Sequence, residues 1–152
     1  ENNLVGPLPL ELYLLSSSLE YLTLNSNVLT GTIPTTFGRL TNLDRLGLTI
    51  NELTGTVPSA LGEMTKLALL GLGRNKLRGQ LPSELGDLSR LKNFDISAND
   101  IQGTIPVAYS KLTSIETFSL KENWIAGQLP RELGDLTSMK FLDVSSNIIE
   151  GR

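Results

Sequence analysis

The chain of 152 residues has no cysteine and no histidine, and tryptophan occurs once. Without cysteine there is no disulfide and no thiolate nucleophile, and the redox compartment leaves no mark on the sequence. Without histidine, a common zinc ligand and the usual general base near neutral pH are missing as well. Carboxylates, lysines and hydroxyls are the only catalytic groups left, and neither a metal site nor a cofactor is expected. Charge of neither sign dominates, the net being -3, so electrostatics gives no reason to expect a nucleic acid or an anionic membrane as partner. No apolar run approaches the roughly 20 residues of a membrane-spanning helix. No basic-then-apolar leader opens the chain, so a membrane is expected only through regions outside this segment.

What the sequence does have is a repeat. Asn2, Asn27, Asn51, Asn75, Asn99, Asn123 and Asn147 recur every 24 residues after a single one-residue slip. Each copy reads Leu-x-x-Leu-x-Leu-x-x-Asn-x-Leu-x-Gly-x-Ile-Pro, most clearly at Leu67, Leu70, Leu72, Asn75, Leu77, Gly79, Leu81 and Pro82. A period in the twenties predicts a solenoid whose units touch only their neighbours, so the core is a column. Residues 1–152 read as one array of about six such repeats, opening and closing in mid-repeat and without caps.

The paired apolar residues before each asparagine alternate with period two: Leu22 and Leu24, Leu46 and Leu48, Leu70 and Leu72, Phe94 and Ile96, Phe118 and Leu120, Leu142 and Val144. That alternation predicts a short strand with one buried face, and constant repeat length requires the strands to lie parallel, about 4.8 Å apart. The asparagine, able to donate and accept, is expected to close the strand and form a ladder along the column. The glycine four residues later suits a positive φ. Proline three residues further on suits the start of a short helical or 3₁₀ turn. Phe37, Leu61, Leu85, Tyr109 and Leu133, with Leu40, Met64, Leu88, Leu112 and Leu136, then supply its buried face. Between glycine and proline, pairs such as Thr32-Ile33 and Thr56-Val57 predict a second, minor strand.

The block Leu29-Thr30-Gly31-Thr32-Ile33-Pro34, repeated at Leu53 to Pro58, Ile101 to Pro106 and Ile125 to Pro130, resembles the hallmark of plant-type leucine-rich repeat proteins. The resemblance covers essentially the whole chain. It implies an α/β solenoid, a right-handed superhelix with a parallel β-sheet on its concave face and short helical or 3₁₀ turns on its convex face. It also implies a non-catalytic module that recognises a protein, a peptide or a cell-wall glycan. Members include ectodomains of receptor-like kinases and receptor-like proteins and polygalacturonase-inhibiting proteins, so the resemblance implies a location outside the cell or at the plasma membrane. The missing cysteine caps and the absence of any Asn-x-Ser/Thr glycosylation site keep an intracellular scaffold open as the alternative.

Outward-facing strand positions form rows across the sheet, and variation along them is the readable binding signal. Two neighbourhoods stand out. The first combines Gly47, Gly71 and Gly73 with Leu69 and Ile50, and has Arg45 and Arg74 at its margin. It is expected to be a shallow floor with cationic edges, unless it is merely a stretch of small side chains between solvated arginines. The second gathers Asp95, Asp143, Lys121, Glu122, Trp124 and Phe141, where aromatics on a polar surface have the character of interface anchors. Asp95 and Asp143 lie two repeats apart, about 10 Å by the sheet spacing. That falls near the carboxylate separation of inverting glycosidases, about 6.5 to 9.5 Å. An open site without a desolvated pocket argues against catalysis, so no enzymatic activity is expected.

Overall fold

The computed structural model describes residues 2–151, and all structural statements below concern them. Six parallel strands, Tyr21–Thr23, Arg45–Gly47, Leu69–Gly71, Asn93–Asp95, Thr117–Ser119 and Phe141–Asp143, form one sheet in simple chain order. Their register is constant, with Leu22, Leu46, Leu70, Phe94, Phe118 and Leu142 paired in sequence. The expected ribbon is therefore present, one strand per coil, and the coils are numbered here one to six by these strands.

On the opposite side of the column, each coil carries one 3₁₀ turn: Leu10–Leu15, Thr35–Arg39, Ser59–Glu63, Ser83–Asp87, Val107–Lys111 and Arg131–Asp135. Each follows a proline in the extended region, such as Pro58 at φ -67°, ψ 133°. The proline carbonyl accepts the first bond of the turn, as Leu61 N to Pro58 O at 3.1 Å shows. Phe37, Leu61, Leu85, Tyr109 and Leu133 point inward from these turns, with Leu40, Met64, Leu88, Leu112 and Leu136 closing them, and all are buried. The larger side chains concentrate in one layer. Phe94 and Phe118 stack at 5.3 Å between ring centroids, and Tyr109 meets Phe94 edge-on at 6.1 Å. The Tyr109 hydroxyl donates to Pro82 O at 3.1 Å, and burial pushes its pKa well above the ordinary phenol range.

The asparagine ladder is present. Asn51 Nδ2 donates to Leu48 O of its own coil and Leu24 O of the preceding one, each at 3.0 Å, while Oδ1 accepts the amide of Leu29 at 3.1 Å. Asn75, Asn99, Asn123 and Asn147 repeat the pattern. Glycines 6, 31, 55, 79, 103 and 127 all have φ between 76° and 93°, as a tight turn without a Cβ requires.

The second strand lies earlier in the repeat than the sequence implies. It occupies Val28–Thr30, Thr54–Gly55, Lys76–Gln80, Asp100–Gly103, Trp124–Gly127 and Ile148–Ile149, just after the asparagine and up to or through the glycine. The pairs between glycine and proline contribute little to the ladder: Gln80 belongs to a strand, and Thr32 makes an isolated bridge to Thr54. The glycine bends the chain out of register, and the proline beyond it has no N–H to donate. The aliphatic members Ile33, Val57, Leu81 and Ile105 are nevertheless buried, so those positions serve the core without pairing.

The residue before each repeat asparagine from Asn27 to Asn147 is left-handed as well. Ser26, Ile50, Arg74, Ala98, Glu122 and Ser146 have φ between 52° and 58°. For a β-branched residue this conformation is strained, and Ile50 is 44% exposed, so little packing offsets it. Ile50→Asn is therefore expected to stabilise the chain by about 1 kcal/mol, seen as a higher urea midpoint at unchanged slope. A lower midpoint would show that Ile50 contributes packing that outweighs its backbone strain.

Candidate functional site

Within each three-residue strand the middle side chain points toward the column, buried in the first five strands and 38% exposed at Leu142 in the last, and its two neighbours face out over the sheet. The first outward row runs Tyr21, Arg45, Leu69, Asn93, Thr117, Phe141, and the second Thr23, Gly47, Gly71, Asp95, Ser119, Asp143. An open groove of ≈ 420 Å³ lies on this face, lined mainly by Leu69, Asn93, Asp95, Thr117, Ser119 and Phe141 of coils three to six, with Asn25 and Thr49 of the first two coils at its edge. Leu69 is partly buried and Phe141 exposed, and they mark the two ends of the first row within the groove. Asn93 and Thr117 sit between them, the Thr117 hydroxyl donating to Asn93 Oδ1 at 2.6 Å.

The glycine floor differs from the sequence expectation. Gly47, Gly71 and Gly73 are buried, because side chains of adjacent coils lie over them. A Cβ on Gly47 would fall 2.9 Å from Asn25 Oδ1, one on Gly71 2.9 Å from Thr49 Oγ1, and one on Gly73 2.5 Å from Asp95 Oδ2. The missing side chains thus make room for neighbouring polar groups, and the backbone is not laid bare. Arg45 is exposed but engaged, its Nε 3.3 Å from Asp44 and its guanidinium 5.5 Å from the Tyr21 ring centroid. Arg74 sits at the left-handed corner between the two sheets, outside the groove.

The second neighbourhood divides in two. Asp95 and Phe141 line the groove, and Asp143 continues the row of Asp95. Trp124 instead lies on the flanking sheet, 58% exposed, in a separate recess with Glu122 and Ile148. Lys121 and Glu122 pair with each other at 3.2 Å. Proximity in sequence joined residues that the bend at Asn123 places on different faces.

The two aspartates differ from a glycosidase pair. Asp143 Oδ1 accepts both the amide of Ser145, at 3.0 Å, and its hydroxyl, at 2.6 Å. These bonds hold its carboxyl below the usual range, the opposite of what a proton donor needs. Asp95 Oδ1 is bonded to the Ser97 amide at 2.9 Å. Both belong to a wide, open surface, and no group of acidic residues among the described ones could hold a metal ion. The reading by rows passed over Asn93 and Thr117. They precede a buried strand residue as Asp95 and Ser119 follow one, so the same alternation marks them.

The geometry agrees with known proteins. A leucine rich repeat family model matches residues 17–77. Over 42 residues the chain is 60% identical to the LRR receptor-like serine/threonine-protein kinase GSO2 of Arabidopsis thaliana, a stretch covering 28% of this chain and 3% of that protein. The plant peptide hormone receptor RGFR1, solved in complex with RGF2, matches with a TM-score of 0.96 at 36% identity, covering 98% of this chain and 24% of that one. The ectodomain of the receptor kinase SOBIR1 from Arabidopsis thaliana matches with a TM-score of 0.82 at 32% identity, covering 87% of this chain and 73% of that one. The chain belongs to the leucine-rich repeat family, and its coils are similar to those of plant receptors of that family. It spans only a small part of the first two relatives.

Proposed function

We propose that this chain is a non-catalytic recognition module of a receptor-like protein, holding a peptide or protein partner against its concave sheet outside the cell. The observation that carries this reading is the contrast between framework and rows. Core leucines, ladder asparagines and turn glycines repeat from coil to coil, whereas the first outward row changes chemistry at every strand, from Tyr21 and Arg45 to Leu69, Asn93, Thr117 and Phe141. A surface that varies over an invariant support is suited to reading a partner along its length. The likeness to a plant peptide hormone receptor solved in complex with RGF2, and to a receptor kinase ectodomain, supports the same reading and the location. No helix among the described residues is long and apolar enough to cross a membrane.

Within this proposal Leu69, Asp95 and Phe141 are the central contacts, with Arg45, Lys121 and Asp143 at their margins. Arg74 and Glu122 stand at the corner, and Trp124 offers a separate contact on the flank. The test is to select binders from a randomised peptide library on the chain and map the strongest by amide chemical-shift changes. Shifts are expected on the strands from Leu69–Gly71 to Phe141–Asp143. Shifts confined to the 3₁₀ turns or to the flanking sheet would overturn the assignment.

A further inference from the structure

We infer that the concave groove takes an extended peptide lying across the strands, with one lysine or arginine placed between two apolar side chains, each two residues away from it. This rests on the recognition reading above and adds the chemistry of the partner. Leu69 and Phe141 are linked through the register pairs Leu69 with Asn93, Asn93 with Thr117, and Thr117 with Phe141. Three strand spacings put these two apolar side chains about 14 Å apart along the column. An extended peptide rises about 3.3 Å per residue and shows alternate side chains to one face. Residues i and i+4 therefore match the two ends, and residue i+2 faces the middle.

The middle of the groove is where its charge lies. Asp95 is the only charged residue lining it. Other acidic groups on the same side of the molecule are engaged: Asp44 pairs with Arg45, Glu116 with Lys140 and Glu122 with Lys121, while Asp143, outside the groove lining, accepts both the amide and the hydroxyl of Ser145. Asp95 has no paired cation; its one hydrogen bond, from the Ser97 amide, leaves Oδ2 free to accept. A carboxylate without a counter-charge, set among hydroxyl, amide and apolar groups, selects a cation and disfavours an acidic residue at the same place. Asn93 and Thr117 are bonded to each other through the Thr117 hydroxyl, and both are uncharged, so neither offers a competing charge. One long basic side chain at i+2 reaches from the first row toward Asp95 in the second, while the flanking side chains cover Leu69 and Phe141.

The experiment uses the whole chain with the end-blocked synthetic peptide Leu-Ser-Arg-Ser-Phe and its versions carrying glutamine or glutamate at the centre, followed by titration calorimetry at low ionic strength. Arginine is expected to bind about tenfold more tightly than glutamine, as one charge-assisted bond provides, and glutamate more weakly still. Asp95→Asn is expected to abolish the difference between arginine and glutamine. Phe141→Ala should weaken both by about tenfold, the loss of one apolar contact. Val107→Ala, on a convex turn, should change neither. Equal affinity for the three peptides, a preference for arginine that survives Asp95→Asn, or no binding of any of them would overturn the inference. A library that returns a different motif, still weakened by Phe141→Ala, would leave peptide recognition standing and remove only the cation. Binding indifferent to both Leu69→Ala and Phe141→Ala would remove the concave reading too.

Discussion

Asn99→Leu is expected to lower stability by about 3 kcal/mol, measured as the shift in guanidinium midpoint multiplied by the unfolding slope. The two side chains are close in size, so the loss is one of hydrogen bonding. Asn99 is 7% exposed, and its Oδ1 accepts the amide of Leu77 at 2.9 Å. Its Nδ2 donates to Leu72 O, Ile96 O and Ser97 O, each at 3.1 Å. The carbonyls of Leu72 and Ile96 keep a second donor, from Asn75 and Asn123 respectively. The Leu77 amide keeps none, and one buried donor left unpaired costs about 1 to 3 kcal/mol before the other lost bonds are added. Asn27→Leu, on the more exposed rung where Oδ1 accepts the Leu4 amide, should cost about 1 kcal/mol because water replaces the lost partners. Equal costs at the two positions, or a change at Asn99 below about 0.5 kcal/mol, would mean that the ladder does not hold the coils together.

That ladder was legible in the sequence because one residue type recurs at one offset. The same holds for the core leucines, the proline before each convex turn and the six glycines with positive φ. Other features recur in place but not in kind. The left-handed residue before the asparagine is serine, isoleucine, arginine, alanine or glutamate, and a conformation that accepts five residue types leaves no compositional trace. The groove was half legible. Leu69, Asp95 and Phe141 follow from alternation, and Asn93 and Thr117 follow from it equally once both neighbours of the buried residue are counted. Trp124 could not be assigned a face from sequence, since the bend at Asn123 moves the chain from one sheet to the next within one residue. The glycines of the groove floor show the opposite limit. Their small size was plain, but the use made of it depends on Asn25, Thr49 and Asp95 reaching over from adjacent coils.

Gly86→Ala is expected to cost about 2 to 3 kcal/mol although it adds a single carbon. Gly38, Gly62 and Gly86 occupy the fourth position of successive 3₁₀ turns, and none has a positive φ, so backbone freedom is not their purpose. A Cβ on Gly86 would lie 2.3 Å from Ala108 O, and those on Gly38 and Gly62 would lie 2.3 and 2.4 Å from Ala60 O and Glu84 O. The obstacle is main chain of the following coil, which cannot move aside without pushing the coils apart. Where glycine is absent the packing bears this out: Tyr13 and Ser110 hold the equivalent place in the first and fifth turns, and those turns pack less closely on their successors than do the three glycine-bearing turns that another turn follows, Gly134 holding the place in the last turn. Ladder bonds fix the spacing of the concave sheet at about 4.8 Å, so the spacing of the convex turns sets how strongly the column bends. Small residues at this position keep the outer spacing close to the inner one and flatten the groove that a partner must span. Gly86→Ala should therefore lower the unfolding midpoint and increase curvature between the fourth and fifth coils, detectable as a smaller radius of gyration in solution scattering. Unchanged stability and dimensions would show that the turns slide past one another instead of spreading, and that convex packing does not govern the shape of the recognition face.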